Sequence, residues 1–264
     1  MLECVVNISE GSDARLVGQL AGDLNDLLDV HSDADHNRSV FTLIGTEAPR
    51  ELASRAVRLL DINRHSGVHP RLGVVDVVPF VALEGSADDA AAAARDEFAE
   101  WIVDTHRVPV FLYGPERPLP DVRRRAWKSL APDRGPNAPH PTAGAVCVGV
   151  RQVLVAYNVV LDSHDPDLGR RIANAVRMPG LRTLAFTVSG TVQISMNIVE
   201  ADRISVSDAY DRVAEVASSF GAAAVGAELV GLLPRKILDR VDETRWSALD
   251  IGVEKTIEWR LSRR

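Results

Sequence analysis

Short apolar runs and amphipathic stretches follow one another along this chain in an order that few architectures can accommodate. "ECVVNIS" (3–9) reads as a strand, and "DARLVGQLAGDLNDLL" (13–28) has the i, i+3, i+4 apolar spacing of a helix on a core. "LLDVHSDADHNRSVFTLIG" (27–45) divides into strand, polar loop and strand, and "APRELASRAVRLLDI" (48–62) is again helical. "GVVDVVPFVAL" (73–83) is almost continuously apolar, as a strand covered on both faces would be. "SADDAAAAARDEFAEWIVDTH" (86–106) opens with a Ser-x-x-Asp capping signal and predicts a long helix, with a strand at "VPVFLYG" (108–114) behind it.

Residues 114–144 change character. One short helix is expected around "LPDVRRRAWKSL" (119–130), while "PDRGPNAPHPTAG" (132–144) is too rich in proline for a helix or a central strand. A loop of that length in a compact domain is either disordered or functional. Next come "AVCVGVRQVLVAYNVVL" (145–161), a helix at "DPDLGRRIANAVR" (165–177) and a strand pair turning at Ser189-Gly190. "SVSDAYDRVAEVASSFG" (205–221) is helical, "AAAVGAELVGLL" (222–233) strand-like, and Pro234 suits the first turn of a further helix. Two successive sets of strand, helix, strand, strand, helix, strand result, one on each side of about residue 180. They predict an α+β protein of two ferredoxin-like α/β subdomains, 1–180 and 181–264, each a mixed sheet with helices on one face.

Composition narrows the function classes. With 264 residues, 46% of them hydrophobic, the chain can bury a sizeable core. Its formal charge of −7 argues against a nucleic-acid partner, and no apolar run reaches the roughly 20 residues of a membrane span. The opening "MLECVVNISEG" lacks a basic segment followed by an apolar one, so a cytoplasmic location is expected. Cys4 and Cys147, the two cysteines, lie inside apolar runs and read as buried thiols of a reducing compartment. Lysine occurs only at positions 128, 236 and 255; arginine, whose fork pairs with carboxylates, supplies the other cations.

The densest chemistry is in "RHSGVHPRLGVVDVVPF" (64–80). His65 and His69 have helical zinc-site spacing, but Gly67 and Pro70 oppose a helix and no third ligand suggests itself, so no metal is expected. His69, framed by Gly67 and Pro70, is a candidate general acid/base. In "HSDADHNRS" (31–39), Asp33, Asp35 and Asn37, with Asp29 just before, either cap their own turns or orient an imidazole or a ligand amine. "GPNAPHPTAG" (135–144) lacks the Gly-Lys-Ser/Thr ending of a phosphate loop; its prolines favour a preformed wall against a flat ligand. Arg123, Arg124 and Arg125 read first as a solvated helix face and second as a site for an anionic tail. There is no Gly-x-Ser-x-Gly elbow and neither cysteine looks activated, so no covalent nucleophile is evident.

Taken together, these segments resemble the formiminotransferase domain of glutamate formiminotransferases. "ECVVNISEG" resembles the family's opening Glu-Cys-Val-Pro-Asn-Phe-Ser-Glu-Gly, and "HNRSVFTLIG" its Asn-Arg-Thr/Ser-Val-Tyr/Phe-Thr strand. "GVHPRLGVVDVVPF" resembles Gly-Glu-His-Pro-Arg-Met-Gly-Ala-Xaa-Asp-Val-Xaa-Pro-Phe; "VQISMN" and "VGAELVGLLP" follow in the family's order. The resemblance implies transfer of a formimino group between 5-formiminotetrahydrofolate and L-glutamate in histidine breakdown, by a homodimer acting on small molecules. It places His69 on the catalytic histidine. Folate falls to the segment Gly135, Pro136, Asn137, Ala138, Pro139, His140, Pro141, Thr142, Ala143 and Gly144, with tetrahydrofolate as co-substrate and no metal. Asn37, Arg38 and Arg71 are candidates for the substrate, the arginines for its carboxylates. Departures cluster in the same region: Val68 stands where the family has Glu, His31 where it has Asp, and Arg134 where Phe is common. Thr142-Ala143 replaces Ser-Trp, and Arg125-Ala126 a Gly-Glu pair. Formyl transfer from 5-formyltetrahydrofolate and folate binding without turnover are the alternative readings of this residue set.

Overall fold

The computed structural model describes residues 1–264, except for the side chain of residue 88. The chain divides into two compact units, Met1–Gln152 and Val153–Arg264. The first unit runs β1 (Leu2–Ile8), α1 (Ala14–Ala21), β2 (Leu27–Asp33), β3 (Arg38–Ile44), α2 (Glu47–Leu59) and β4 (Val75–Ala82). It continues with α3 (Asp88–His106), β5 (Val110–Tyr113), α4 (Leu119–Arg125) and β6 (Val146–Val150). Its sheet has the order β2-β3-β1-β4-β6-β5. The first four strands pair antiparallel in the ferredoxin-like arrangement, and β6 and β5 extend it in parallel beyond β4.

Every residue of β4 but the last is buried, because helices lie on both sides of it. Val78 and Phe80 join a core with Leu52, Phe98 and Ile102 of α2 and α3. Val77, Phe111 and Cys147 form a smaller cluster with Val122 and Ala126 of the α4 region on the opposite face. The helices of this unit therefore cover both faces, where one face was expected. The register between β1 and β4 slips between Ile8–Val75 and Asn7–Val77. That β-bulge leaves Asp76 as the extra residue on β4, and bulges re-aim side chains.

The second unit runs β7 (Val155–Leu161), α5 (Pro166–Val176), β8 (Leu181–Val188), β9 (Thr191–Ile198), α6 (Val206–Ser219) and β10 (Ala224–Val230). Short helices α7 (Arg235–Leu238) and α8 (Ile257–Leu261) follow. The sheet order β10-β7-β9-β8, antiparallel throughout, is again ferredoxin-like. Tyr157, Val159, Ile194, Met196 and Leu229 pack with Ile172, Val176 and Val213 of α5 and α6. The division falls before β7 rather than near residue 180. The apolar run 145–161 looks like one segment, yet it supplies β6 to one sheet and β7 to the other. Among the described residues, no helix is long and apolar enough to cross a membrane.

Candidate active site

The approach to β4 is a loop that cannot be helical and is tied down by its own side chains. Gly67 passes so close to the carbonyl of His36 that a Cβ there would collide with backbone. Asn37, left-handed at φ 45° as asparagine tolerates, clips the loop to its neighbours. Its Oδ1 accepts from the Gly11 and Ser12 N–H groups at 2.9 and 3.2 Å, and its Nδ2 donates to the Ser66 carbonyl at 2.8 Å. The Asn37 carbonyl accepts from His65 Nε2 at 2.8 Å, while His65 Nδ1 faces the Arg71 guanidinium. Arg71 also donates from Nε to the His69 carbonyl at 2.9 Å, and from one terminal nitrogen, Nη2, to the carbonyls of both Gly67 and His69. His65 and Arg71 are thus the wiring of the loop, and burial lowers the His65 pKa.

This wiring aims His69. Nδ1 donates to the Pro70 carbonyl at 2.8 Å; a carbonyl can only accept, so the neutral ring carries its lone pair on Nε2, the nitrogen a general base uses. The His36 ring lies 6.1 Å from it, centroid to centroid. Desolvation first, and the charge of Arg38 second, push its pKa down to about 3. The ring is therefore neutral near pH 7.

Beneath lies Asp76, with no solvent exposure. Arg123 grips it with both terminal nitrogens, Nη1 to Oδ1 at 2.7 Å, Arg38 holds Oδ2, and the Leu72 N–H donates to Oδ1 at 2.8 Å. Burial alone would raise the Asp76 pKa, but the two guanidiniums win and hold the carboxyl well below the ordinary carboxylate range. Arg38 reaches Asn7 Oδ1 from Nε at 3.2 Å as well. Two guanidiniums against one carboxylate leave a net positive charge below His69, suited to an anionic substrate group. Val68, where a carboxylate was noted as absent, is an exposed side chain (50%) on the rim of an open concavity formed by residues 65–71 and Ile62.

The second segment marked in the sequence is stitched to this loop. His140 and Gly144 exchange backbone hydrogen bonds at 2.8 and 3.0 Å around a tight turn, and His140 Nδ1 accepts from the Ala143 N–H at 2.9 Å. The Thr142 carbonyl accepts from the Ile62 N–H, and Asn63 Nδ2 donates to the Pro141 carbonyl, at 2.8 and 2.7 Å. Gly73 and Gly144 cross where a Cβ on either would strike the other strand's backbone. Ala143 and Gly144 are buried, Ala143 in the main core, while Gly135, Asn137, Ala138 and Pro139 are exposed. In the same loop Pro136 and Thr142 are half-buried and Pro141 is exposed.

Arg123 is the residue that sequence reasoning missed, having taken it for solvated along with Arg124 and Arg125. Arg124 does pair outward with Asp121, and Arg125 reaches Ser129 Oγ at 3.3 Å. Arg123 alone turns inward. The signal was Asp76 itself: a carboxylate in a run of buried apolar residues requires a cationic partner. Arg134 is occupied with Glu100 at 3.0 Å, and His31 sits on β2 opposite Val40.

Comparison with known proteins identifies the family. A family model described as "Formiminotransferase domain, N-terminal subdomain" matches residues 1–151, and one described as "Formiminotransferase domain" matches 156–244. The glutamate formimidoyltransferase of Streptococcus pyogenes serotype M1 is 33% identical over 97% of each chain. That of Thermoplasma acidophilum is 30% identical, covering 90% of this chain and 89% of its own. The formimidoyltransferase-cyclodeaminase of Sus scrofa is 30% identical over 90% of this chain, which spans 51% of that protein. With both parts of the domain matched in order, one on each compact unit, this chain belongs to the formiminotransferase family.

Proposed function

We propose that this protein moves a formimino group between 5-formiminotetrahydrofolate and L-glutamate, with His69 as general acid/base. The observation that carries the reading is the seam between the loop 62–74 and the segment 140–145. It joins the loop that carries the candidate base to the candidate folate wall, in a chain similar over its length to glutamate formimidoyltransferases. In such a transfer an amine attacks an amidine carbon, and the tetrahedral intermediate must expel one nitrogen while keeping another. A single imidazole can take the proton of the attacking amine on Nε2 and return it to the leaving nitrogen. The Pro70 carbonyl stabilises the Nδ1–H tautomer throughout that exchange. Arg38, which pairs with Asp76 through one terminal nitrogen, is the candidate for a substrate carboxylate. Arg71 contributes by holding the loop, and Asn37 does the same from the other side. Holding both substrates in one orientation supplies much of the remaining acceleration.

A neighbouring anion would also make His69 a better base. The cations that depress its pKa are opposed once a carboxylate binds among them, so the imidazole gains basicity in the complex. Tetrahydrofolate is the co-substrate in this reading; the family resemblance supports a homodimer working in histidine breakdown in the cytoplasm, without a metal.

One observation favours a second reading, formyl transfer from 5-formyltetrahydrofolate to glutamate. A protonated formimino group is a cation, whereas a formyl group is neutral. With Val68 in place of a carboxylate and a net positive cluster beneath His69, the site is better matched to the neutral group. A spectrophotometric assay with tetrahydrofolate and formiminoglutamate, run beside one with 5-formyltetrahydrofolate and glutamate, separates the two. We expect turnover in the first, reduced about 10²-fold or more in His69→Ala. Turnover in the second alone would select formyl transfer, and turnover in neither would overturn both.

A further inference from the structure

The turn 140–144 carries a histidine that the chemistry at His69 does not use. The His140 ring bends back over its own turn. Nδ1 accepts from the Ala143 N–H at 2.9 Å and from the Thr142 N–H at 3.3 Å. A backbone N–H can only donate, so Nδ1 holds the lone pair and the ring proton sits on Nε2. This tautomer is the opposite of the one at His69. Ala143 is 1% exposed, which leaves water little access to take the place of that acceptor.

The same turn is bonded to the segment that leads through His69 into β4. The Thr142 carbonyl accepts from the Ile62 N–H at 2.8 Å, and the Ala143 carbonyl from the Val74 N–H at 3.0 Å. Just beyond, the Ala145 N–H donates to the Leu72 carbonyl at 3.0 Å. One imidazole acceptor thus holds the backbone conformation on which these bonds depend. Asp61 and Arg64, which flank Ile62 and Asn63 on the partner segment, pair with each other at 3.8 Å. From α3, His106 lies within charge range: after burial, the His140 imidazole lowers its pKa. His106 is itself held in place, Nε2 2.9 Å from Ser54 Oγ of α2 and its ring edge-on to Trp101 at 5.4 Å.

We propose that His140 is a positioning residue: its neutral ring latches the turn 140–144, and a second ring proton releases the turn from the loop that carries His69. A proton on Nδ1 sets one N–H against two others, turning attraction into repulsion. The ring must then swing away, and the buried Ala143 N–H is left without its acceptor. The sign follows from the hydrogen bonds. The latch is complete while the ring is neutral and is lost as pH falls through the interval in which the ring charges. It stands on this geometry alone; its consequence, weaker folate binding in acid, rests on the folate reading given above.

NMR of the full chain tests this, following the His140 ring nitrogens and the hydrogen-exchange protection of the Ala143 amide from about pH 8 to about pH 5. At the upper end the nitrogen shifts are expected to report Nε2–H and an unprotonated Nδ1. Protection should then fall about tenfold or more over the interval in which the ring charges. His140→Asn sets an amide oxygen where Nδ1 stood and does not titrate, so its protection should hold across the range. His140→Gln carries its oxygen one bond farther out and should be weakly protected throughout. Urea unfolding at each pH reports the global fold, and the wild-type ring shifts decide the question if a variant melts early. Three results would each overturn the inference: a proton on Nδ1 at about pH 8, a ring that charges without loss of protection, or equal acid losses in wild type and His140→Asn. So would a ring that stays neutral until the chain unfolds. Calorimetric titration with 5-formyltetrahydrofolate reads the consequence: affinity should fall more steeply with acid in the wild type than in His140→Asn. A latch seen by NMR in a protein that binds no folate would overturn the folate reading and leave the inference standing.

Discussion

His69 stands in the field of Arg38 and Arg123, opposed by Asp76, and is partly withdrawn from water. The consequence for stability has a definite sign. In the unfolded chain the imidazole takes up a proton near its ordinary value of about 6.5; in the folded chain it does so at about 3. Between those values the unfolded state binds the extra proton, so the contribution is complete above about pH 6.5 and is lost as pH falls toward 3. The lowered His65 and His106 act in the same direction, and Asp76 adds its share only below its ordinary carboxylate range. Asparagine at position 69 can still donate to the Pro70 carbonyl but does not titrate. Urea unfolding at pH 7 and 4.5 should therefore show a smaller acid loss for His69→Asn than for the wild type; equal losses would contradict the assignment. Val68 bears on the same group. Because it is exposed, Val68→Glu should fold normally and place a carboxylate beside the imidazole. We expect the His69 pKa, followed by NMR of the ring carbons, to rise by about half to one unit, carrying the acid limb of the kcat/KM profile with it.

Elements rather than single residues decide what Asp76 can do. The bulge on β4 turns it toward α4, and α4 lays Val122 and Ala126 on the sheet so that Arg123 meets the carboxylate with both nitrogens. Asp76→Asn strips the charge from between two largely buried guanidiniums and should cost about 3–5 kcal/mol. Arg123→Met leaves Asp76 still paired with Arg38 and the Leu72 N–H, so a smaller loss of about 1.5–3 kcal/mol is expected. Chemical denaturation of both variants checks the order, which would be reversed if Arg123 were the main support. Much of this was legible beforehand. The period of two in "ECVVNIS" and of 3.6 in "DPDLGRRIANAVR" placed strand and helix correctly, and the prolines of 132–144 did mark a loop. The bulge was not legible, because it depends on a partner strand nearly seventy positions away. Nor was the inward turn of Arg123, since three consecutive arginines look alike until the sheet beneath them is known. Arg71 shows the converse: its charge suggested a ligand for substrate, while its geometry commits it to loop carbonyls.

At the scale of the molecule, the order of elements implied ferredoxin-like units, and both sheets have that strand order. The boundary was harder to see, because 145–161 is one apolar run that serves two sheets. The division at Gln152–Val153 has a physical consequence. Residues 1–152 contain a complete sheet with helices on both faces, and a chain of that length buries roughly two thirds of its surface. Burial is the first cause of the lowered His69 pKa, and the groups that modify it further, Arg38, Asp76, Pro70 and Arg123, all lie within it. So do the loop 64–71 and the segment 135–144. A fragment 1–152 is therefore expected to unfold in a single cooperative urea transition and to keep the depressed His69 titration of the full chain. NMR titration of the ring measures this directly. A fragment that folds but titrates near 6.5 would show that the field around His69 depends on the second unit; a fragment that fails to fold would show that the first core is not self-sufficient. The expected result would make the first unit the seat of the acid/base chemistry.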